Sequence, residues 1–356
     1  MEEKRDFRDL EREVIEKGKC ALCGGCVATC RLLDYEYLSV DFSEERPVIR
    51  EGQQCPPDCG YCYYQCPRVE KPALREGFEE MYEVVSTDEE IRSACQDGGA
   101  VTSLLAYALD NAIVEGCITV ADKGEWRPEV RVAMDKAGLI KGAGSKYTPA
   151  ATLTGIADAI LKYDLWSVAL VGTPCGMSSY EKMLVVGRGT HNAHNFSSHI
   201  RLKIGLFCLG SYSYEKLMKG YLEQKQGIDI GDVTKLQISE DVLHVYAGGK
   251  ELLSVGIDEI EDYKRDGCKV CEDFTGLFSD ISVGNNGTPE GKSSVIVRTD
   301  FGREVFEGAL ERGYIEAKPI DKSGVDLIHR LMKKKKEAGI AEKERRKKKL
   351  MEPQKK

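Results

Sequence analysis

The sequence contains no run of apolar residues approaching the roughly 18 that a membrane-spanning helix needs, so a helical membrane span is not expected. Its opening residues, MEEKRDFRDLEREV, are too charged for a signal peptide, and a cytoplasmic protein is expected. There is no nucleophile elbow, no phosphate-binding Walker loop and no pair of carboxylates in a recognisable catalytic frame. Those absences argue against a hydrolase. Positive charge is also scarce where a nucleic-acid binder would carry it. Residues 331–356 hold 12 Lys/Arg and 4 Glu, whereas the other 330 hold 39 basic and 55 acidic side chains. An acidic body with a basic C-terminal tail is not expected to bind nucleic acid.

What the sequence has in quantity is cysteine: 14 in 356 residues. In a reducing compartment that number points to metal ligands more than to disulfides. Cys20, Cys23, Cys26 and Cys30 are spaced C-x2-C-x2-C-x3-C, with Arg31 where bacterial ferredoxin runs carry proline. Cys55, Cys59, Cys62 and Cys66 follow as C-x3-C-x2-C-x3-C, and Pro67 comes next. The two runs read as a two-cluster ferredoxin module, in which the fourth cysteine of each run serves the other cluster. One 4Fe–4S cluster is then expected on Cys20, Cys23, Cys26 and Cys66, and a second on Cys55, Cys59, Cys62 and Cys30. Thiolates suit the task as soft anionic donors. A pair of structural zinc sites is the alternative, although zinc ligands usually come as two separated C-x2-4-C pairs. The segment between the runs, YEYLSVDFSEERPVIR, fits two short strands and a turn.

From Glu76 the pattern changes to alternating apolar strands and amphipathic helices, as in an α/β domain. A helix in GGAVTSLLAYALDNAIVEG places Val101, Leu104, Leu105, Ala108 and Leu109 on one face. Asp97 can cap it, and Gly98 and Gly99 let a ligand approach its positive end. SVALVGTPC and LKIGLFC read as strands stopping at Cys175 and Cys208, the strand ends where open α/β sheets bind ligands. With Cys268 and Cys271 of CKVC they make a candidate third 4Fe–4S site. Spacing alone leaves buried structural cysteines equally open. Cys95 and Cys117 read as core thiols. His191, His194 and His199 read as a polar loop, and VLHVYAGGKELLSV as a hairpin around Gly248–Gly249. The lysine-rich tail reads as a solvated helix end, with a role in holding an acidic substrate tail or partner as the alternative.

Residues 92–320 resemble the family of β subunits of coenzyme F420-reducing hydrogenase, a group of iron–sulfur flavoproteins. Six stretches carry the resemblance in order: QDGG (Gln96–Gly99), GSKYTP (Gly144–Pro149), VGTPC (Val171–Cys175), IGLFC (Ile204–Cys208), CKVCEDF (Cys268–Phe274) and DISVGNNGTPEG…VIVRT (Asp280–Thr299). One departure is Gly176, where the family usually has glutamine. The resemblance implies non-covalent FAD and assigns a cluster to Cys175, Cys208, Cys268 and Cys271. On the matching stretches, flavin contacts are expected at Gln96, Asp97, Gly98 and Gly99, then at Gly144, Ser145, Lys146 and Tyr147, and in the glycine loop of Gly284, Gly287 and Gly291, with plain turns at the glycines and a solvated Lys146 as the alternative. With the N-terminal runs added, the layout looks like the electron-input subunit of F420H2 dehydrogenases.

The expected architecture is an α/β core with a mixed sheet and flanking helices over residues 76–320. A small α+β ferredoxin-like domain (1–75) precedes it and a basic helical tail (321–356) follows. The expected function is an oxidoreductase passing hydride between coenzyme F420 and FAD, with single electrons moving through three clusters to or from a redox protein. The same module with a different donor could serve a hydrogenase, formate dehydrogenase, sulfite reductase or heterodisulfide reductase complex. The non-enzyme alternative is a zinc-stabilised interaction protein.

Overall fold

The computed structural model describes residues 5–73, 79–187 and 198–351. Thirteen strands in three sheets lie among them. A two-stranded hairpin joins β1 (Leu38–Asp41) to β2 (Arg46–Ile49), with Leu38 opposite Ile49. The largest sheet uses β3 (Glu80–Ser86), β4 (Gly116–Asp122), β5 (Pro128–Ala133), β6 (Val168–Gly172), β7 (Ile200–Leu206), β11 (Ile281–Gly284), β12 (Ser293–Val297) and β13 (Ile315–Pro319). Its order is β13-β3-β12-β11-β7-β6-β4-β5. The four strands β11, β7, β6 and β4 run parallel, and antiparallel strands flank them on both sides.

The parallel centre follows from sequence. VALVG and IRLKIGL are apolar enough to be buried on both faces, which parallel strands require. Side chains alternate across the sheet. Cys117 and Ala169 enter the core under α2 (Ala100–Asp110) and α4 (Asp300–Glu311), whereas Ile118 and Leu170 enter the opposite layer. That second layer contains residues 153–159 and Met177, Tyr180 and Met183 of α3 (Pro174–Gly187). It also takes in Ala28 and Leu32 of α1 (Gly25–Leu32). The cysteine-rich N-terminus therefore shares a hydrophobic core with the large sheet.

The third sheet is a meander of β8 (Lys235–Ser239), β9 (Val242–Ala247) and β10 (Lys250–Gly256). Gly248 and Gly249, both at positive φ, make the two-residue turn between β9 and β10 that the sequence suggests. The chain ends in α5 (Lys322–Met351), a 30-residue helix. It is not the solvated end expected of a lysine-rich tail. Ile328, Lys335 and Gly339 are buried on one stripe of it, because the spacing 328, 335, 339 returns to the same helical face. His191 and His194 lie outside the described residues. His199 is buried against the Trp166 ring rather than in a polar loop.

Candidate functional site: three sets of thiols and a glycine-rich helix start

All 14 cysteines are free thiols. The first run winds into the start of α1, where the Leu22 amide donates to Cys20 Sγ at 3.4 Å. Burial, then the thiolates of Cys23, Cys20, Cys62 and Cys66, push the Cys26 thiol well above its ordinary range. Burial and then Cys23 raise Cys66 to about 12. Cys62 is pushed well up by burial, then by Cys55, Cys59 and Cys30. The neighbours thus sort into Cys20, Cys23, Cys26 and Cys66 on one side and Cys30, Cys55, Cys59 and Cys62 on the other. The two groups also meet, since Cys62 is a neighbour of both Cys26 and Cys66. Cys20, Cys23, Cys26, Cys62, Cys66 and Cys175 line one hollow in the protein.

Cys175 sits in the first turn of α3, three residues beyond the end of β6, with its Sγ 3.1 Å from Thr173 Oγ1. Cys208 follows β7, its amide bonded to the Phe274 carbonyl at 2.8 Å. Cys268 lies in the helical turn Asp266–Lys269, and Cys271 just after it. Burial raises Cys175 well above its ordinary range, helped next by Cys23 and then by Cys271 and Cys268. Burial raises Cys208 to about 12, with Cys268 and Cys271 adding to it. The fold therefore gathers these four into a third set. It abuts the first set: a Cβ on Gly267 would stand 2.1 Å from the Cys20 carbonyl oxygen.

Thiols raised by burial and mutual repulsion are poor places for free negative charge, and bound iron removes that penalty by supplying positive charge. The donor set therefore fits clusters. Zinc fits less well. Zinc ligands usually come as two separated C-x2-4-C pairs, and three cysteines at x2-x2 spacing depart from that pattern.

Two cations attend the third set, and sequence reading missed both. Arg68, directly after the second run, donates to the Gly267 carbonyl at 3.1 Å and hydrogen-bonds Cys271. Lys335 of α5 is buried, its Nζ donating to the carbonyls of Leu209 at 2.7 Å and Cys268 at 3.0 Å. Burial opposes ionisation of Cys271, yet Arg68 and then Lys335 hold its thiol below the ordinary value. The signal for Lys335 was Gly339, four residues on. Glycine inside a helix costs about 1 kcal/mol, and here a Cβ would stand 2.5 Å from the Cys271 carbonyl oxygen. A third missed contact is Glu45, in the β1–β2 turn. It accepts from Arg265 Nη1 at 2.6 Å and from the Tyr214 amide at 2.5 Å, tying the N-terminal hairpin to the core.

A second, glycine-rich region lies where α2 begins. Gly99, at φ +78°, occupies the N-cap position, and no side chain caps the helix. Asp97 is therefore not the cap that the sequence suggests; Gly99's left-handed turn takes the position, and burial raises the Asp97 carboxyl while Lys235 and an Asn285 hydrogen bond oppose this. Gly98 is needed for packing, since a Cβ would lie 2.4 Å from the Val84 carbonyl oxygen. Gln96 Oε1 accepts from the Ser145 amide at 3.4 Å, while its Nε2 is buried with no partner among the described residues.

Lys146 folds back on its own loop, donating to the carbonyls of Ala143 at 2.5 Å and Gly144 at 3.1 Å. Burial lowers it to about 8, with Asp122 and Cys95 opposing. Gly284 and Gly287 press on protein instead of open space: a Cβ would meet the Phe207 ring at the first and the Gly324 carbonyl at the second. Gly291 faces open space. The Gly144–Tyr147 segment connects to the third thiol set through Ser211. Its Oγ donates to the Tyr147 carbonyl at 3.1 Å and its amide to Cys268 Sγ at 3.4 Å. Cys95 bonds Thr102 at 3.3 Å, and Cys117 is fully buried in β4.

Comparison with known proteins shows the family of the chain. Residues 81–163 and 165–323 match, in turn, the N-terminal and C-terminal parts of the family described as coenzyme F420 hydrogenase/dehydrogenase, beta subunit. The coenzyme F420 hydrogenase beta subunit of Methanothermobacter thermautotrophicus is 34% identical over 73% of this chain and 92% of its own length. A polypeptide of the F420H2 dehydrogenase of Methanosarcina mazei is 27% identical over 91% of both chains. A chain in the structure of the F420-reducing nickel–iron hydrogenase complex from Methanosarcina barkeri superimposes with a TM-score of 0.70 at 30% identity, covering 77% of this chain and 93% of that one.

Proposed function

Since this chain belongs to the family of coenzyme F420 hydrogenase/dehydrogenase beta subunits, we propose that it is an electron-transfer oxidoreductase that exchanges hydride between coenzyme F420 and a bound FAD. Single electrons then pass to or from a partner redox protein. FAD takes up an electron pair as hydride and releases it singly, and thiolate-held 4Fe–4S clusters carry one electron each.

The residues that would hold the flavin are those around the start of α2. The uncapped amides of that helix suit an anionic or carbonyl oxygen. The partnerless Gln96 Nε2 is a donor inside protein that a ligand acceptor would satisfy. Lys146 is positioned to donate to a ligand anion by exchanging its own loop carbonyls for it. Cys175, Cys208, Cys268 and Cys271 would hold the proximal cluster, Cys20, Cys23, Cys26 and Cys66 the middle one, and Cys30, Cys55, Cys59 and Cys62 the distal one.

The observation that carries this reading is the order of neighbours. Tyr147 reaches Cys268 through Ser211, Cys175 neighbours Cys23, and Cys66 neighbours Cys62. A relay needs such a sequence, and a set of unrelated structural sites does not. Residues 1–75 then act as the outlet module on a core of residues 76–320. The test is anaerobic mixing with reduced coenzyme F420 while following flavin absorbance. Bleaching of FAD is expected; no bleaching with this donor, when another donor does bleach it, overturns the choice of substrate.

A further inference from the structure

The run Lys333–Lys336 holds four consecutive lysines, and three of them are exposed as an ordinary basic helix would have them. The other, Lys335, is 8% exposed. Its ammonium group ends on two main-chain carbonyls, those of Leu209 and Cys268, each next to or part of a cysteine of the third set. Main-chain contacts hold the helix in that register. Gly339 lies against the Cys271 carbonyl, Arg346 donates to the carbonyls of Gly18 at 3.0 Å and Asp266 at 2.9 Å, and Lys343 pairs with Glu272. A buried ammonium is costly unless a negative charge faces it. Four thiolates supply that charge, and each electron added to a cluster on them adds one more negative unit.

We propose that Lys335 is a buried counter-charge, delivered by the C-terminal helix, that raises the reduction potential of the cluster on Cys175, Cys208, Cys268 and Cys271. The inference rests on the reading of those four cysteines as cluster ligands. Arg68 approaches the same set from the N-terminal module, so the two termini of the chain close on one redox centre and favour its reduced state. The exposed lysines Lys333, Lys334 and Lys336 play no part in this role.

The test is a redox titration, followed by electron paramagnetic resonance, of the full-length protein prepared anaerobically. Wild type, Lys335→Met, Lys335→Arg and the exposed-site control Lys334→Met are compared, with iron counted in each. Lys335→Met is expected to lower the midpoint of one of three clusters. At a fixed potential its reduced-to-oxidised ratio falls about tenfold, which is about 59 mV for a one-electron couple. Lys335→Arg is expected to keep most of the wild-type value, and Lys334→Met all of it. An unchanged midpoint in Lys335→Met, or an equal shift in Lys334→Met, overturns the proposal. If Lys335→Met sheds the third cluster, retention in Lys335→Arg supports a charge role, and loss in both variants overturns it. A wild-type protein with only two clusters instead defeats the underlying ligand assignment, which the iron count reveals before any variant is made.

Discussion

The two cysteine-rich regions of this molecule are built in opposite ways. The N-terminal eight lie between Cys20 and Cys66, on loops and two short helical segments around one hairpin. The core four come from the start of α3, the end of β7 and a helical turn near Cys268, and no two of those segments are adjacent in sequence. The first region is a site that local chain geometry nearly completes. The second exists only when the large sheet has formed, and its cations arrive from outside it, on Arg68 and Lys335. A locally written site tolerates distant change. An assembled one is exposed to every contact that positions its parts.

The largest expected effect breaks the relay itself. Cys175→Ser and Cys59→Ser should each cost about four of about twelve irons per chain. Only Cys175→Ser should also stop single electrons leaving the flavin while FAD bleaching by the donor continues. Retention of all iron in Cys175→Ser, measured by metal analysis, would remove the third site from the account.

Next comes the joint between the regions. Glu45 and Arg265 are both about nine-tenths buried, so Glu45→Ala leaves a buried guanidinium unpaired. The expected loss is about 3–5 kcal/mol, read from chemical denaturation, with earlier proteolytic release of the N-terminal hairpin.

Gly339→Ala should cost about 1–3 kcal/mol by overpacking, because the new methyl group meets main chain near Cys271. The same substitution at Gly313, where nothing lies within 4 Å of a Cβ, should not overpack anything and sets the baseline. Its φ of +72° adds only the local strain of a left-handed alanine.

The smallest effect is a pH dependence. Burial holds Lys146 at about 8 in the folded, flavin-free protein, whereas an unfolded chain would keep the proton up to about 10.4. Across that window the unfolded state binds more protons, so stability rises with pH and is least below pH 8. Lys146→Met should flatten that slope in thermal melts of the apo protein between pH 7 and 10. A slope identical in both proteins would place Lys146 in water.

These contrasts explain which parts of the molecule could be read from the chain. The closeness of the eight N-terminal thiols was legible because their spacing keeps them on one short stretch of chain. The turn at Gly248–Gly249 and the apolar parallel strands were legible for the same local reason. The grouping of Cys175, Cys208, Cys268 and Cys271 could be suggested by strand ends but needed a family resemblance to be preferred. Gly284 and Gly287 read as room for a cofactor, yet the close neighbours are Phe207 and Gly324, since glycine marks tight approach without saying by what. Lys335 is hard to single out because its three lysine neighbours are solvent-exposed. Its burial depends on the register of α5 against Cys271, a long-range contact that Gly339 marks without naming the partner.

The central claim is most directly tested by metal, sulfide and flavin analysis of the anaerobically purified full-length protein. The account predicts about twelve irons with matching acid-labile sulfide in three clusters, together with FAD released on denaturation. A colourless protein carrying two or three zinc ions and no flavin would contradict it.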